Sequence, residues 1–525
     1  MNGVDISGLT VSGREGTVVH PLDVHIEPGR TLAIIGESGS GKTLTAKALV
    51  GLLPRGFRAE GSVRVDATDV DLDAAQTIWR TVRGSTVTLL LQDPFTSLSP
   101  VHRCGEQIGW TLDAASDRRL ARAERERRIE ERLAEVRLPA RVARSYPHQL
   151  SGGMRQRVAI AAALAADPQL IIADEPTTAL DASNQAEILD LLRAIQHARN
   201  LCVILISHDL GLVRGRADDV LVMRHGEVVE RGATGDVLST PTHPYTRALL
   251  DADPTLAPAP AVSEAAPRAV GDVPLLSATR VTKQFGERTV LDGVSVDIAP
   301  GQIVGLVGES GSGKSTFARC IAGLEHEDAG EIRFDSAALA PGRKSRTPAQ
   351  MQIVFQDPYS SLNPMMSVGA ILREALAVAG RPTSDLADLL SMVNLPDEFE
   401  RKRPAELSGG QRQRVAIARA LATHPRLLIC DESVSALDVS VQAQILSLLR
   451  RLREELGIAI LFISHDLAVV RMLADQVTVL WNGRVVESGA CAQVLEHPRH
   501  EYTAMLVAAG RRENQISASE IAGED

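Results

Sequence analysis

Short, largely apolar runs punctuate the chain at residues 32–35, 85–91, 170–173, 201–206 and 303–307. Runs this short, apolar at consecutive rather than alternate positions, predict strands covered on both faces, as in a parallel sheet. Longer helix-permissive stretches separate them, so the order alternates strand and helix. Residues 4–29 instead mix brief alternating stretches with glycine, which predicts small antiparallel strands ahead of the first buried one. Residues 113–144 are rich in Ala, Arg, Glu and Leu and hold no glycine, which predicts a helix with a solvated, charged face. The expected fold class is α/β with a mostly parallel sheet.

Chemistry-bearing letters follow the predicted strands. Residues 32–35 lead into Gly36-Glu37-Ser38-Gly39-Ser40-Gly41-Lys42-Thr43, and residues 303–307 lead into Gly308-Glu309-Ser310-Gly311-Ser312-Gly313-Lys314-Ser315. Both fit G-x-x-x-x-G-K-[ST] in a strand, loop, helix setting, where glycines let consecutive N–H groups turn inward around phosphate oxygens. Lys42 and Lys314 are expected to reach the β- and γ-phosphates, and Thr43 and Ser315 to offer a hydroxyl to Mg²⁺. The run 85–91 stops at Gln92-Asp93-Pro94, and Gln356-Asp357-Pro358 repeats it; both glutamines are candidate Mg²⁺ ligands through the side-chain oxygen.

Asp174 and Asp431 each close an apolar run and suit outer-sphere ligation of Mg²⁺, which keeps several waters and needs few carboxylates. The following Glu175 and Glu432 are placed to orient an attacking water, and His208 and His465 to contact the γ-phosphate and that water. A histidine at a strand end is ordinarily structural, but here Ser-His-Asp occurs twice at one distance from an acidic pair. Residues at the C-terminal ends of parallel strands converge on one crevice, so these groups should gather round the glycine-rich loop. Ser151-Gly152-Gly153-Met154 and Ser408-Gly409-Gly410-Gln411 place a hydroxyl and glycines at another helix start, a second anion site.

The two loops lie 272 positions apart, whereas the Ser-Gly-Gly, Asp-Glu and Ser-His-Asp copies lie 257 apart. That constancy marks a tandem duplication with length changes confined to the region before Ser-Gly-Gly. The expected domains are 1–252 and 274–525, joined by a Pro/Ala-rich linker over 253–273. A chain of 525 residues exceeds the ~250–300 at which single cores stop growing.

A formal charge of −10 argues against nucleic-acid binding along the whole surface. No apolar run approaches the ~18–20 residues of a membrane span, and the N-terminal letters lack a signal-peptide pattern, so a cytoplasmic location is expected. Cys104, Cys202, Cys320, Cys430 and Cys491 are scattered without C-x-x-C spacing and are expected to be free thiols.

Two ordered sets of P-loop, Gln, L-S-G-G-[MQ]-R-Q, D-E and S-H-D resemble the ATP-binding-cassette family over both halves. The resemblance implies two tandem P-loop NTPase (RecA-like) nucleotide-binding domains, each with an antiparallel β subdomain and an α-helical signature subdomain. It also implies that two ATP molecules lie between a P-loop of one half and the signature of the other. One site would join Gly36 to Thr43, Gln92, Asp174, Glu175 and His208 with Ser408 to Gln411. The other would join Gly308 to Ser315, Gln356, Asp431, Glu432 and His465 with Ser151 to Met154. Family members stack an aromatic on adenine just after the first strand; Phe285 fits, while the aligned first-half position is Gly13, which implies weaker ATP binding there.

Gln356-Asp357-Pro358-Tyr359-Ser360-Ser361-Leu362-Asn363-Pro364, Tyr146-Pro147-His148-Gln149 and His243-Pro244-Tyr245-Thr246 resemble the peptide/nickel importer ATPases. That subfamily implies an ATP-hydrolysing motor at the cytoplasmic face of the inner membrane. Its implied partners are two transmembrane permease subunits and an extracytoplasmic substrate-binding protein. Only Cys491 lies where some of those ATPases carry a cysteine cluster, so no iron–sulfur cluster is expected. An exporter motor and a soluble tandem cassette acting on ribosomes or DNA remain as alternatives.

Overall fold

The computed structural model describes residues 3–14, 16–91, 97–116, 120–177, 182–253, 273–357, 361–434 and 437–515. They form two compact units divided near Asp253. The predicted linker lies almost wholly outside the described residues.

The first unit has two sheets. Strands Val4–Gly13, Gly16–Ile26, Arg58–Val65 and Thr68–Asp71 make an antiparallel sheet in which the first strand lies between the second and third. The other sheet has six strands, in the order Glu227–Ala233, Asp219–Arg224, Thr31–Ile35, Cys202–Ile206, Leu170–Asp174 and Val87–Leu90. All its pairings are parallel except that of the hairpin joining the first two. The second unit repeats both sheets, and Ile303–Val307 takes the place of Thr31–Ile35.

The continuous apolar runs are explained by cover on both faces. Along Leu170–Asp174, Leu170 and Ile172 pack into one core with the antiparallel sheet, while Ile171 and Ala173 pack into another with the helices on the opposite face. Leu427 and Ile429 against Leu428 and Cys430 repeat the division in the second unit. With ~1.5–3 kcal/mol gained per fully buried aliphatic side chain, a polar residue in such a strand is strongly disfavoured except at its end. That end is where Asp174 and Asp431 stand.

The expected helix over 113–144 differs. Cys104–Ala114 is one helix and Arg122–Glu135 another, and Ala140–Arg144 forms a 3₁₀ turn. The second ends at Glu135, and two residues on Arg137, at φ 58°, turns the chain out of the helical region just before Leu138 and Pro139. Its charged face is solvated as expected, with Arg122–Glu126 and Arg128–Glu124 pairs one turn apart.

All five cysteines are buried and free. Burial raises the thiols of Cys104 and Cys202 to about 11 and those of Cys320, Cys430 and Cys491 to about 12, so each stays protonated. Among the described residues no helix is long and apolar enough to cross a membrane.

Candidate active site

Each glycine-rich loop leaves the central strand of its parallel sheet and runs into a short helix, Lys42–Ala48 or Lys314–Ile321. Gly36 and Gly308 are required by close approach: an added Cβ would lie 2.2 Å from the Met223 carbonyl oxygen and 2.1 Å from that of Leu480. Gly41 and Gly313 cap the helices in the left-handed region, at φ 101° and 107°. Ser38, Gly39, Ser310 and Gly311 lie at the outer turn, where a Cβ on Gly39 or Gly311 would meet nothing within 4 Å. The buried Lys42 donates to the carbonyls of Gly36 and Glu37 at 2.7 and 2.8 Å, and Lys314 to those of Gly308 and Glu309 at 2.7 and 2.9 Å.

A loop that takes up phosphate needs donors left in reserve, and two hydroxyls here are held in that way. Among the described residues the hydroxyls of Ser40 and Ser312 are buried and make no hydrogen bond. Each lies inside its loop, 3.0 and 2.9 Å from where a Cβ on Gly36 or Gly308 would sit. Buried hydroxyls are normally paired, so these two fit a loop completed by an oxyanion. The hard-oxygen set for a divalent cation stands beside it. Thr43 Oγ1 donates to Asp174 Oδ1 at 3.2 Å and Ser315 Oγ to Asp431 Oδ1 at 2.8 Å. Burial pushes both aspartate carboxyls above their usual range, partly offset by those hydroxyls, and a cation would reverse the shift.

Glu175 and Glu432 occupy the left-handed region at φ 47° and 48°, unusual for a side chain with a Cβ. Their N–H groups donate to Ile206 and Ile463 on the neighbouring strand at 3.0 Å, which pins the turn. Glu175 Oε1 lies 3.2 Å from His208 Nδ1, and Glu432 Oε2 lies 3.5 Å from His465 Nδ1. Burial opposes charge on both histidines, yet the adjacent glutamates leave their pKa values raised. Burial likewise opposes charge on Glu432, but His465 holds its carboxyl below the usual range. The serine and aspartate of each Ser-His-Asp build the turn. Ser207 Oγ accepts from Asp209 N–H, and Asp209 caps the next helix through Leu212 N–H, both at 3.0 Å.

Gln356 Nε2 donates to Glu432 Oε2 at 2.8 Å, so it reaches the acidic pair of its own unit. Gln92 lies outside the described residues. Ser151 and Ser408 cap the helices Gly152–Leu164 and Gly409–Leu421, each accepting an N–H at 3.3 Å from Met154 or Gln411. Gln411 returns the contact by accepting from Ser408 N–H at 2.9 Å. An added Cβ on Gly410 would meet Val441 Cγ1 at 2.1 Å, which keeps that helix tip bare.

Phe285 closes its strand with a half-exposed ring, 5.2 Å below Lys283 Nζ. Gly13 closes the equivalent strand, pairing with Gly16 as Phe285 pairs with Arg288. The sequence reading missed what covers Gly13. The Phe57 ring lies 3.1 Å from where its Cβ would be, with Val18 at 3.6 Å. The Val18 carbonyl oxygen in turn lies 3.6 Å from where a Cβ on Gly41 of the glycine-rich loop would sit. The signal was a length difference: Gly51 to Gly61 is three residues longer than the matching Gly323 to Gly330.

A family profile described as "ABC transporter" matches residues 19–178 and 291–435, and one described as "Oligopeptide/dipeptide transporter, C-terminal region" matches 229–288 and 486–524. The chain is 42% identical to the "Glutathione import ATP-binding protein GsiA" of Pectobacterium atrosepticum, covering 96% of this chain and 89% of that one. It is 42% identical to the protein of the same name in Escherichia coli K12, over 94% and 86%. Among solved structures, that of ribosome-bound archaeal Pelota and ABCE1 is similar at TM-score 0.63 and 22% identity, covering 95% of this chain and 80% of that one. The chain belongs to the ABC transporter family. It is an ATPase, the ATP-binding subunit of an importer. The exporter and ribosome or DNA alternatives fall away, since the importer likeness runs nearly end to end while the likeness to ABCE1 reaches the fold alone.

Proposed function

We propose that this chain powers the uptake of short peptides, glutathione among them, by hydrolysing ATP in both halves. The observation that carries the hydrolytic reading is the glutamate–histidine pair, held beside a buried aspartate and a glycine-rich loop in each unit alike. The solute class rests on the peptide-transporter profile and on relatives named for glutathione import.

In this reading the loop N–H groups, Ser40, Lys42, Ser312 and Lys314 bind the β- and γ-phosphates. Glu175 and Glu432 orient the water and draw its proton, and His208 and His465 steady both glutamate and γ-phosphate. Mg²⁺ bound near Thr43, Asp174 and Gln92, or Ser315, Asp431 and Gln356, would neutralise developing phosphate charge. Among the described residues no cluster of three or more His, Cys, Asp or Glu could hold a metal alone, so phosphates and water would supply its other ligands. Following the family resemblance, Ser151 to Met154 and Ser408 to Gln411 serve the nucleotide of the opposite half. Residues 1–252 and 274–525 are then the cassettes, working at the cytoplasmic face of the inner membrane. Two permease subunits and an extracytoplasmic binding protein are their partners.

Phe285 and Phe57 supply the adenine face, so the first half has an aromatic from a different element. Stacking on an aromatic is worth ~1–3 kcal/mol per base, so Phe57→Ala should weaken ATP about tenfold at the first site. The measurement is calorimetry with Lys314→Ala silencing the second site; unchanged affinity would move the first adenine elsewhere.

The solute reading is tested by co-purifying the chain with its permeases and binding protein and adding ligands to the reconstituted complex. Glutathione or di- and tripeptides should stimulate ATP hydrolysis. Stimulation by nickel chelates or sugars alone would reject it.

A further inference from the structure

The closing segment of each unit reaches back into its glycine-rich loop. In the first, the buried Tyr245 hydroxyl accepts from the backbone N–H of Glu37 at 3.0 Å. In the second, Tyr502 does the same for Glu309 at 3.0 Å. The peptide groups so held matter because their other side carries the loop lysine. The Gly36 carbonyl, which shares its peptide group with the Glu37 N–H, accepts from Lys42 Nζ at 2.7 Å, and the next carbonyl, that of Glu37, accepts from Lys42 Nζ at 2.8 Å and from Ser40 N–H at 3.2 Å. The Gly308 carbonyl, on the same peptide group as the Glu309 N–H, accepts from Lys314 Nζ at 2.7 Å, and the next carbonyl, that of Glu309, accepts from Lys314 Nζ at 2.9 Å and from Ser312 N–H at 3.2 Å.

Each tyrosine is itself anchored to the hairpin at the sheet edge. Glu230 accepts from the N–H groups of Thr242 and His243 at 2.7 and 3.1 Å, and from Thr242 Oγ1 at 2.7 Å. Burial raises its pKa, but the surrounding donors pull it down to about 2, so the anchor is an anion throughout the working range. Glu487 accepts from Arg499 and His500 N–H at 2.9 and 3.0 Å in the second unit. His243 and His500 then receive the N–H of the tyrosine through Nδ1, each at 3.1 Å, opening the helices Pro244–Ala252 and Glu501–Gln515. The ring is clamped differently in the two halves, by the Arg224 guanidinium 4.9 Å from its centre in the first and by Trp481 stacked at 5.3 Å in the second.

We infer that Tyr245 and Tyr502 are positioning residues for the phosphate cradle, each fixing through its hydroxyl the peptide group that presents the loop lysine. The route runs from sheet-edge carboxylate to helix start, phenol, loop peptide and ammonium, with a hydrogen bond at each step. It explains why His-Pro-Tyr and His-Glu-Tyr close the two halves at one spacing: histidine caps the turn and the phenol two residues on reaches the loop. Two different ring clamps serving one hydroxyl contact show that the contact, rather than the packing, is what the halves share.

The inference rests on nucleotide occupying the glycine-rich loops, and the test separates the two. Tyr245→Phe and Tyr502→Phe keep the ring and its clamp and remove only the hydroxyl. In the full chain assembled with its permeases, the double variant should raise KM for ATP about 5- to 10-fold with kcat changed less than about twofold, since it strands one part-buried N–H per loop. ADP affinity of the purified chain should fall by the same factor. An unchanged KM overturns the inference, and so does a lowered melting temperature with reduced kcat and unchanged KM, which marks a packing role only. Lys42→Ala serves as the control: lost ATP binding there, with both tyrosine variants unaffected, rejects the brace and leaves the cradle standing.

Discussion

Glu175→Gln combined with Glu432→Gln is expected to cut ATP turnover by the assembled importer about 10²- to 10⁴-fold while ATP still binds. Glutamine keeps the shape and the hydrogen-bonding reach of the side chain but cannot take a proton from water. The left-handed backbone at both positions tolerates it as well as it tolerates glutamate, so the turn pinned to Ile206 and Ile463 survives. Each glutamate now sits against a histidine, and Glu432 against Gln356 as well, an arrangement that orients the carboxylate before a γ-phosphate arrives. The removed step is proton abstraction, so ATP should accumulate on the protein unhydrolysed and uptake should stop. Phosphate release and bound nucleotide measured on the same preparation check this. Near-normal turnover would sink the assignment of both glutamates.

The second large effect concerns the loop lysines. Lys42→Ala should leave one of two ATP molecules bound per chain, and Lys314→Ala the other. Each ammonium is buried and anchored by two carbonyls, so its charge is aimed before ligand enters. Truncating one partner of a buried charged contact costs ~2–5 kcal/mol, which corresponds to roughly 30- to 5,000-fold in affinity at the altered site. Calorimetric stoichiometry reads the result directly. Two ATP molecules bound with wild-type affinity in either variant would show that the lysine does not touch phosphate.

Much of this was legible in the letters because the chemistry leaves few alternatives. A loop whose N–H groups must turn inward needs glycine where Met223 and Leu480 crowd the backbone, and the lysine and hydroxyl follow at set spacing. Strands covered on both faces must be apolar throughout, so residues 170–173 and 303–307 were readable from hydrophobicity alone. Length and glycine content were weaker guides. The stretch 113–144 has a helical composition, yet it breaks where the chain must turn to pack Leu133, Leu138 and Val142 into one helical core.

The order of motifs, the duplication and the glycine-rich loops that close the central strands were determined by the sequence, because local backbone geometry dictates residue type at each position. Three features belonged to the tertiary structure: Phe57 lying over Gly13, the left-handed turn that directs Glu175 and Glu432, and the tyrosine that reaches the loop from 208 residues away in the first half and 193 in the second. Contacts between residues so far apart follow from how the sheets bring their edges together, and no local pattern of polarity encodes which distant side chain fills a given gap.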